Sequence, residues 1–176
     1  ITIELQSLGI GSKDARFLFH DNKYFWYGEH KVEGEIGNTA QVGVHLYTSE
    51  NLYDWKDEGI VLAVNETDPS SDIYKGCIIE RPKVIFNKKT KKFVMWFHLE
   101  PVPTGESNNA YGSAKSGIAY SDSPYGPFEY IQSVRPNAGV WPLNVQDFHK
   151  KEVSSEVKSL YGGGPQHLPR HVDSLN

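Results

Sequence analysis

The chain has one cysteine, Cys77, in 176 residues. A lone cysteine excludes an internal disulfide and a cysteine-based metal site. Its expected role is a small buried apolar side chain. No run of about 18 apolar residues occurs, so no membrane-spanning helix is expected. The opening "ITIELQSLGI" lacks a basic segment followed by a long apolar run. It does not read as a signal peptide, which leaves a removed signal open. Net charge is −4 with no basic block, which sets nucleic acid aside as a partner. Gly162-Gly163-Gly164 is followed by Pro165, not by the Lys-Ser/Thr of a phosphate loop. No Ser/His/Asp order and no dinucleotide glycine pattern is present. His20, His30, His45 and His98 fit no zinc spacing and are expected at the surface or hydrogen-bonded in the core.

Aromatic residues are plentiful: 10 Tyr, 8 Phe and 4 Trp. With 38% hydrophobic residues they describe a globular chain rather than a disordered one. Strand signals dominate. "ARFLFHD" (15–21), an Asp21-Asn22 turn and "KYFWYGEH" (23–30) read as a hairpin. "VGVHLYTS" (42–49) alternates as a third strand, and "EGIVL" (58–62) follows as a fourth. The pattern then restarts. "ERPKVIFN" (80–87), a "KKTK" turn and "KFVMWFHLE" (92–100) form a second hairpin. "SGIAYSDS" (116–123) and "PYGPFEYI" (124–131) complete it.

"GVHLYTSENLYDW" and "GIAYSDSPYGPF" are the same element repeated, so each unit spans about 70 residues and four strands. By this count Trp26 matches Trp96. Such repeats are the pattern of propeller blades. The fold class is therefore all-β: blade 1 at about 15–62, blade 2 at about 80–131, and 132–176 an irregular segment leading toward a third blade. A possible short helix lies at 150–160. Two blades do not close a ring, so an incomplete propeller, a piece of a longer protein, is expected. A small complete β domain with a long tail stays open.

Two carboxylates stand out. Glu80 opens the first strand of blade 2 among Ile78, Ile79, Val84 and Ile85, and Glu29 ends "YFWYGE". Buried carboxylates are costly unless paired or hydrogen-bonded, and functional sites tolerate that cost. Neighbouring strand residues point to opposite faces, so Glu80 and Arg81 are not expected to pair with each other. A structural ion pair with another cation stays open for Glu80, and a solvated hairpin end for Glu29. Tyr24, Trp26, Tyr27, Tyr111 and Trp141 exceed what a small core needs. Aromatic rings beside carboxylates suit sugars, whose apolar C–H faces stack on rings. Packing between blades explains Trp26 and Trp96 equally well.

"YFWYGEHK", "GVHLYTSENLYDWKDEGIVL", "IIERPKVIFNKKTKKFVMWFH" and "SGIAYSDSPYGPF" resemble the N-terminal part of glycoside hydrolase family 43, in its exo-β-1,3-galactanase branch. The resemblance implies a five-bladed β-propeller that hydrolyses galactan-type polysaccharide with inversion. It implies that Glu80, in the family's "ERPKV", contacts the terminal sugar and modulates the catalytic acid without being it. Glu29 of "YGE" and Tyr111 of a "YG" loop would bind the same sugar. Family members carry a His-Gly-rich segment before the first strand, where this chain has "SLGIGSKDAR". The general acid and the water-activating group are expected beyond residue 176. No cofactor is implied, and nothing names ligands for a central cation. The implied location is extracellular or periplasmic. A catalytically silent carbohydrate-binding propeller and a purely structural β repeat remain as alternatives. Association through the open propeller edge is also expected, because unpaired strand edges invite it.

Overall fold

The computed structural model describes residues 17–31, 41–102, 114–136 and 155. The first compact unit ends at Val134. Of the second, only Arg135, Pro136 and Ser155 fall among the described residues. The possible helix at 150–160 and Trp141 otherwise lie outside them.

Among the described residues, eight strands form two four-stranded antiparallel sheets. Sheet 1 is ordered β1 (Phe17–His20), β2 (Lys23–Lys31), β3 (Gln41–Ser49), β4 (Lys56–Ala63). Sheet 2 is ordered β5 (Ile78–Asn87), β6 (Lys92–Glu100), β7 (Lys115–Ser121), β8 (Glu129–Val134). Both are meanders, as the repeat predicts. The last strand starts later than "PYGPFEYI" suggests, at Glu129. Pro124 and Pro127 have no N–H to give a ladder, so 124–128 is a turn. Its end reaches back to sheet 1: the Phe128 amide donates to Val61 O at 2.7 Å. Tyr27 Oη donates to Pro124 O at 2.7 Å.

One apolar core joins the sheets. Phe25, Tyr27, Val44 and Leu46 of sheet 1 meet Ile79, Met95, Phe97 and Ala119 of sheet 2, with Cys77 buried among them. Burial pushes the Cys77 thiol up to about 12, so it stays protonated. The connector 64–77 is clamped by Asp72, whose carboxylate accepts from Lys115 Nζ at 3.3 Å and from the hydroxyls of Tyr130 and Ser133.

The register corrects the equivalence of the two tryptophans. In sheet 1, Gly43 of β3 stands opposite His30, and Trp26 opposite Tyr47. In sheet 2, Gly117 stands opposite Phe97, and Phe93 opposite Ser121. The matching serine turns, in which Ser49 and Ser121 each accept from the amide two residues on, align the sheets instead, so Trp26 corresponds to Met95, and Trp96, opposite Ile118, corresponds to Tyr27, opposite Leu46. Trp26 is 1% exposed, beside Tyr47 and Trp55, whereas Trp96 is 40% exposed. The corrected register has a consequence. Sheet 1 gives the core one face (Phe25, Tyr27), and sheet 2 gives it the other (Phe93, Met95, Phe97). The two sheets therefore stack head to tail.

Two glycines fix this packing. A Cβ on Gly117 would lie 2.2 Å from the Phe97 ring, and one on Gly43 would lie 2.0 Å from Leu62 O. Gly117→Ala should therefore lower stability by roughly 1–3 kcal/mol, the usual cost of overpacking a core. Thermal unfolding checks this, and an unchanged melting temperature would mean that Phe97 yields freely.

Candidate functional site

The two sheets present matching ends. His20, the last residue of β1, packs its ring on Phe86 and Phe93 at 5.1 and 4.9 Å. The turns of both inner hairpins therefore lie at one end. Glu29, late in β2, and Glu80, early in β5, lie at the other, and β2 packs against β5. Tyr111 lies outside the described residues, in the segment joining β6 to β7.

Glu80 owes its setting to a bulge. It stands opposite His98, but the register shifts before Lys83. Arg81 takes up the extra residue with φ 53°, a left-handed conformation that non-glycine residues rarely adopt. Pro82 sits in the same irregularity on an edge strand, where a missing N–H costs least. Bulges re-aim side chains and are common beside functional sites. The alternation used to separate Glu80 from Arg81 assumed an unbroken pleat, and the bulge breaks it. Opposite Glu80, His98 Nε2 and Glu100 Oε1 are 2.8 Å apart, and Glu100 is 3% exposed. Sequence reasoning passed over Glu100. Its only signal is the two-residue spacing from His98 at a strand end.

Glu29 is 6% exposed and stands opposite Val44, on the face of sheet 1 that carries Phe25 and Tyr27. A solvated hairpin-end carboxylate is thus excluded. Trp26 and Tyr27 are buried rather than exposed, so neither offers a ring to a ligand. Among the described residues the exposed rings are instead Phe17, Phe19, Tyr53, Trp96 and Tyr125.

The histidines make polar contacts, as expected. His45 is buried, its Nε2 2.6 Å from Asp57 Oδ1 and its Nδ1 3.0 Å from His30 Nδ1. The two imidazoles stack at 5.1 Å, and Tyr47 stacks on His45 at 4.7 Å. A hydrogen bond between two Nδ1 atoms needs a proton on one and a lone pair on the other. Burial, then the neighbouring His45, holds His30 below its ordinary range, against the pull of Asp57. Burial works to raise Asp57, but hydrogen bonds from His45 and the Gly59 amide hold its carboxyl below the usual value. Among the described residues, no group of three or more His, Cys, Asp or Glu is placed to hold a metal. None of them forms a helix long and apolar enough to cross a membrane.

No protein-family model matches the chain, and no curated protein does. Solved structures do. A family GH43 β-1,3-galactosidase, solved with galactodeoxynojirimycin, is 44% identical with a TM-score of 0.68, over 86% of this chain and 42% of its own. The exo-β-1,3-galactanase from Clostridium thermocellum is 36% identical with a TM-score of 0.59, over 75% of this chain and 26% of its own. A variant of the exo-β-1,3-galactanase from Phanerochaete chrysosporium, solved with β-1,3-galactotriose, is 32% identical with a TM-score of 0.59, over 69% and 26%. The chain spans less than half the length of each.

His30 makes stability depend on pH with a definite sign. A histidine whose folded pKa is lowered stabilises fully above the unfolded value, about 6.5, and loses that contribution as pH falls through it. The melting temperature should drop between pH 7 and pH 5, and His30→Gln should flatten that drop. An identical slope in the variant would remove His30 as the cause.

Proposed function

Because the chain belongs to glycoside hydrolase family 43, we propose that it is the substrate-positioning part of an inverting exo-β-1,3-galactanase-like hydrolase. The observation that carries this reading is the 44% identity to a β-1,3-galactosidase over 86% of the chain. The placement of Glu29 and Glu80 at one end of two packed sheets supports it. Hydrolysis with inversion uses an acid on the leaving oxygen and a group that activates water, about 6.5–9.5 Å apart. In this reading Glu29 and Glu80 accept hydrogen bonds from hydroxyls of the terminal galactose, and Tyr111 borders it. Glu80 also tunes the acid, which lies with its partner group in sequence that the relatives have and this chain does not cover.

The same reading makes the two sheets consecutive blades of a five-bladed propeller. Head-to-tail stacking leaves the outer face of sheet 2, with Ile85, Trp96 and Ile131, for a third blade. Those three side chains are exposed, a cost that another sheet would remove. The same reading gives an extracellular or periplasmic location, where a polymeric substrate is met.

Titration with galactose and β-1,3-galactobiose, with products followed in the same samples, tests the proposal. Binding without hydrolysis is expected. Glu80→Gln keeps shape and removes charge, so affinity should fall about 10- to 100-fold, the cost of one hydrogen bond to a charged group. Its melting temperature should barely move. A large loss of stability with unchanged binding would make Glu80 structural, and hydrolysis by this chain would place an acid within it. With Ile85, Trp96 and Ile131 exposed, the chain should also associate in sedimentation, and a clean monomer would count against that.

A further inference from the structure

The turn end of the sheets, opposite Glu29 and Glu80, carries a cleft of its own. Its volume is about 440 Å³, within the range of small-ligand sites. Phe25 and Phe93 form an apolar floor. Tyr125 forms one wall and is 42% exposed. Its ring is held in place before any ligand arrives. Phe25 meets it edge-on at 5.1 Å, Lys23 Nζ donates to its hydroxyl at 3.3 Å, and its amide donates to Ser123 Oγ at 3.1 Å. Two carboxylates, Asp21 and Asp122, line the cleft, and both side chains are largely exposed. Lys23 also lines a second recess of about 290 Å³, with Glu50, Asn51 and Asp54, so polar groups continue beyond the cleft on that side.

This chemistry selects a ligand class. A fixed, half-exposed ring above an apolar floor suits the C–H face of a pyranose. Carboxylates and an ammonium at the rim suit pairs of hydroxyls, as acceptors and donor. Charges of both signs alternate along the rim: Asp122 pairs with Lys92 at 2.5 Å, and Lys23 stands 3.8 Å from Glu50. That arrangement offers no positive focus for a phosphate or another anion. Six residues of extended strand, about 20 Å, separate Lys23 from Glu29, so the groove is not an extension of that site.

We propose that the turn-end groove is a second saccharide-binding site, with Tyr125 as its platform, that holds the polymer away from the hydrolytic end. That its sugar is a β-1,3-galactan rests on the function proposed above.

The test is chemical-shift mapping of the chain with β-1,3-galactotriose and, separately, xylotriose, joined to affinity electrophoresis in galactan. Galactotriose should shift the Lys23, Ser123 and Tyr125 amides, and Glu80→Gln should leave those shifts in place. Tyr125→Ala should cut retention by galactan roughly tenfold, the loss expected for one aromatic anchor. Tyr125→Phe, which keeps the ring, should retain most of it. Turn-end shifts with xylotriose but not galactotriose would uphold a saccharide groove and overturn the galactan reading. No turn-end shift with either sugar, or unchanged retention in Tyr125→Ala, would overturn the groove itself.

Discussion

The structure depends on one face-to-face contact. The side of sheet 1 carrying Phe25, Tyr27, Val44 and Leu46 is closed by the side of sheet 2 carrying Met95, Phe97 and Ala119. Neither sheet buries an apolar face well by itself, and a twisted four-stranded meander gains little without a partner layer. This contact also sets the directions of the strands that matter. It brings β2 beside β5 with the hairpin turns together, so Glu29 and Glu80 must emerge at the far end. The polar ties across the sheets reinforce it. Tyr27 would leave a buried hydroxyl unpaired without Pro124 O, a cost of about 1–3 kcal/mol.

Much of this was legible in the sequence because it is local. Alternating aromatic and β-branched residues mark strands, and asparagine, glycine and proline mark the turns between them. Asn87 shows why such signals work: its side chain accepts from the amides of Lys89 and Thr90, closing the turn that the sequence indicates. The order of all eight strands follows from signals of that kind. What was not legible is relational. Likeness of residue type paired Trp26 with Trp96, because the cross-strand partners that set the register are not visible in the sequence. Register, not likeness of residue type, decides equivalence.

The candidate site divides the same way. Glu29 and Glu80 stand out as charges in apolar company, which is visible in any one-dimensional reading. The bulge at Arg81 is not, although Pro82 in a strand was its trace. His45 with Asp57, and His98 facing Glu80, need cross-strand register before they can be seen. Tyr125 was hidden by its prolines, since "PYGPFEYI" reads as one strand when its first half is a turn.

The repeat explains why one scaffold can hold different chemistry at its two ends. Each sheet repeats its apolar layers, so packing positions are filled by equivalent residues in successive units. Strand ends and turns carry no such constraint. Where Glu29 stands in sheet 1, sheet 2 has His98, so the carboxylate belongs to a place and not to the repeat. The same freedom operates at the turns. A two-residue turn in sheet 1 and a proline-rich turn in sheet 2 bring Asp21 and Tyr125 to a shared cleft that neither unit forms alone. Function in such a chain is carried by departures from its repeat, and those departures can be found only after the repeat has been set in its true register.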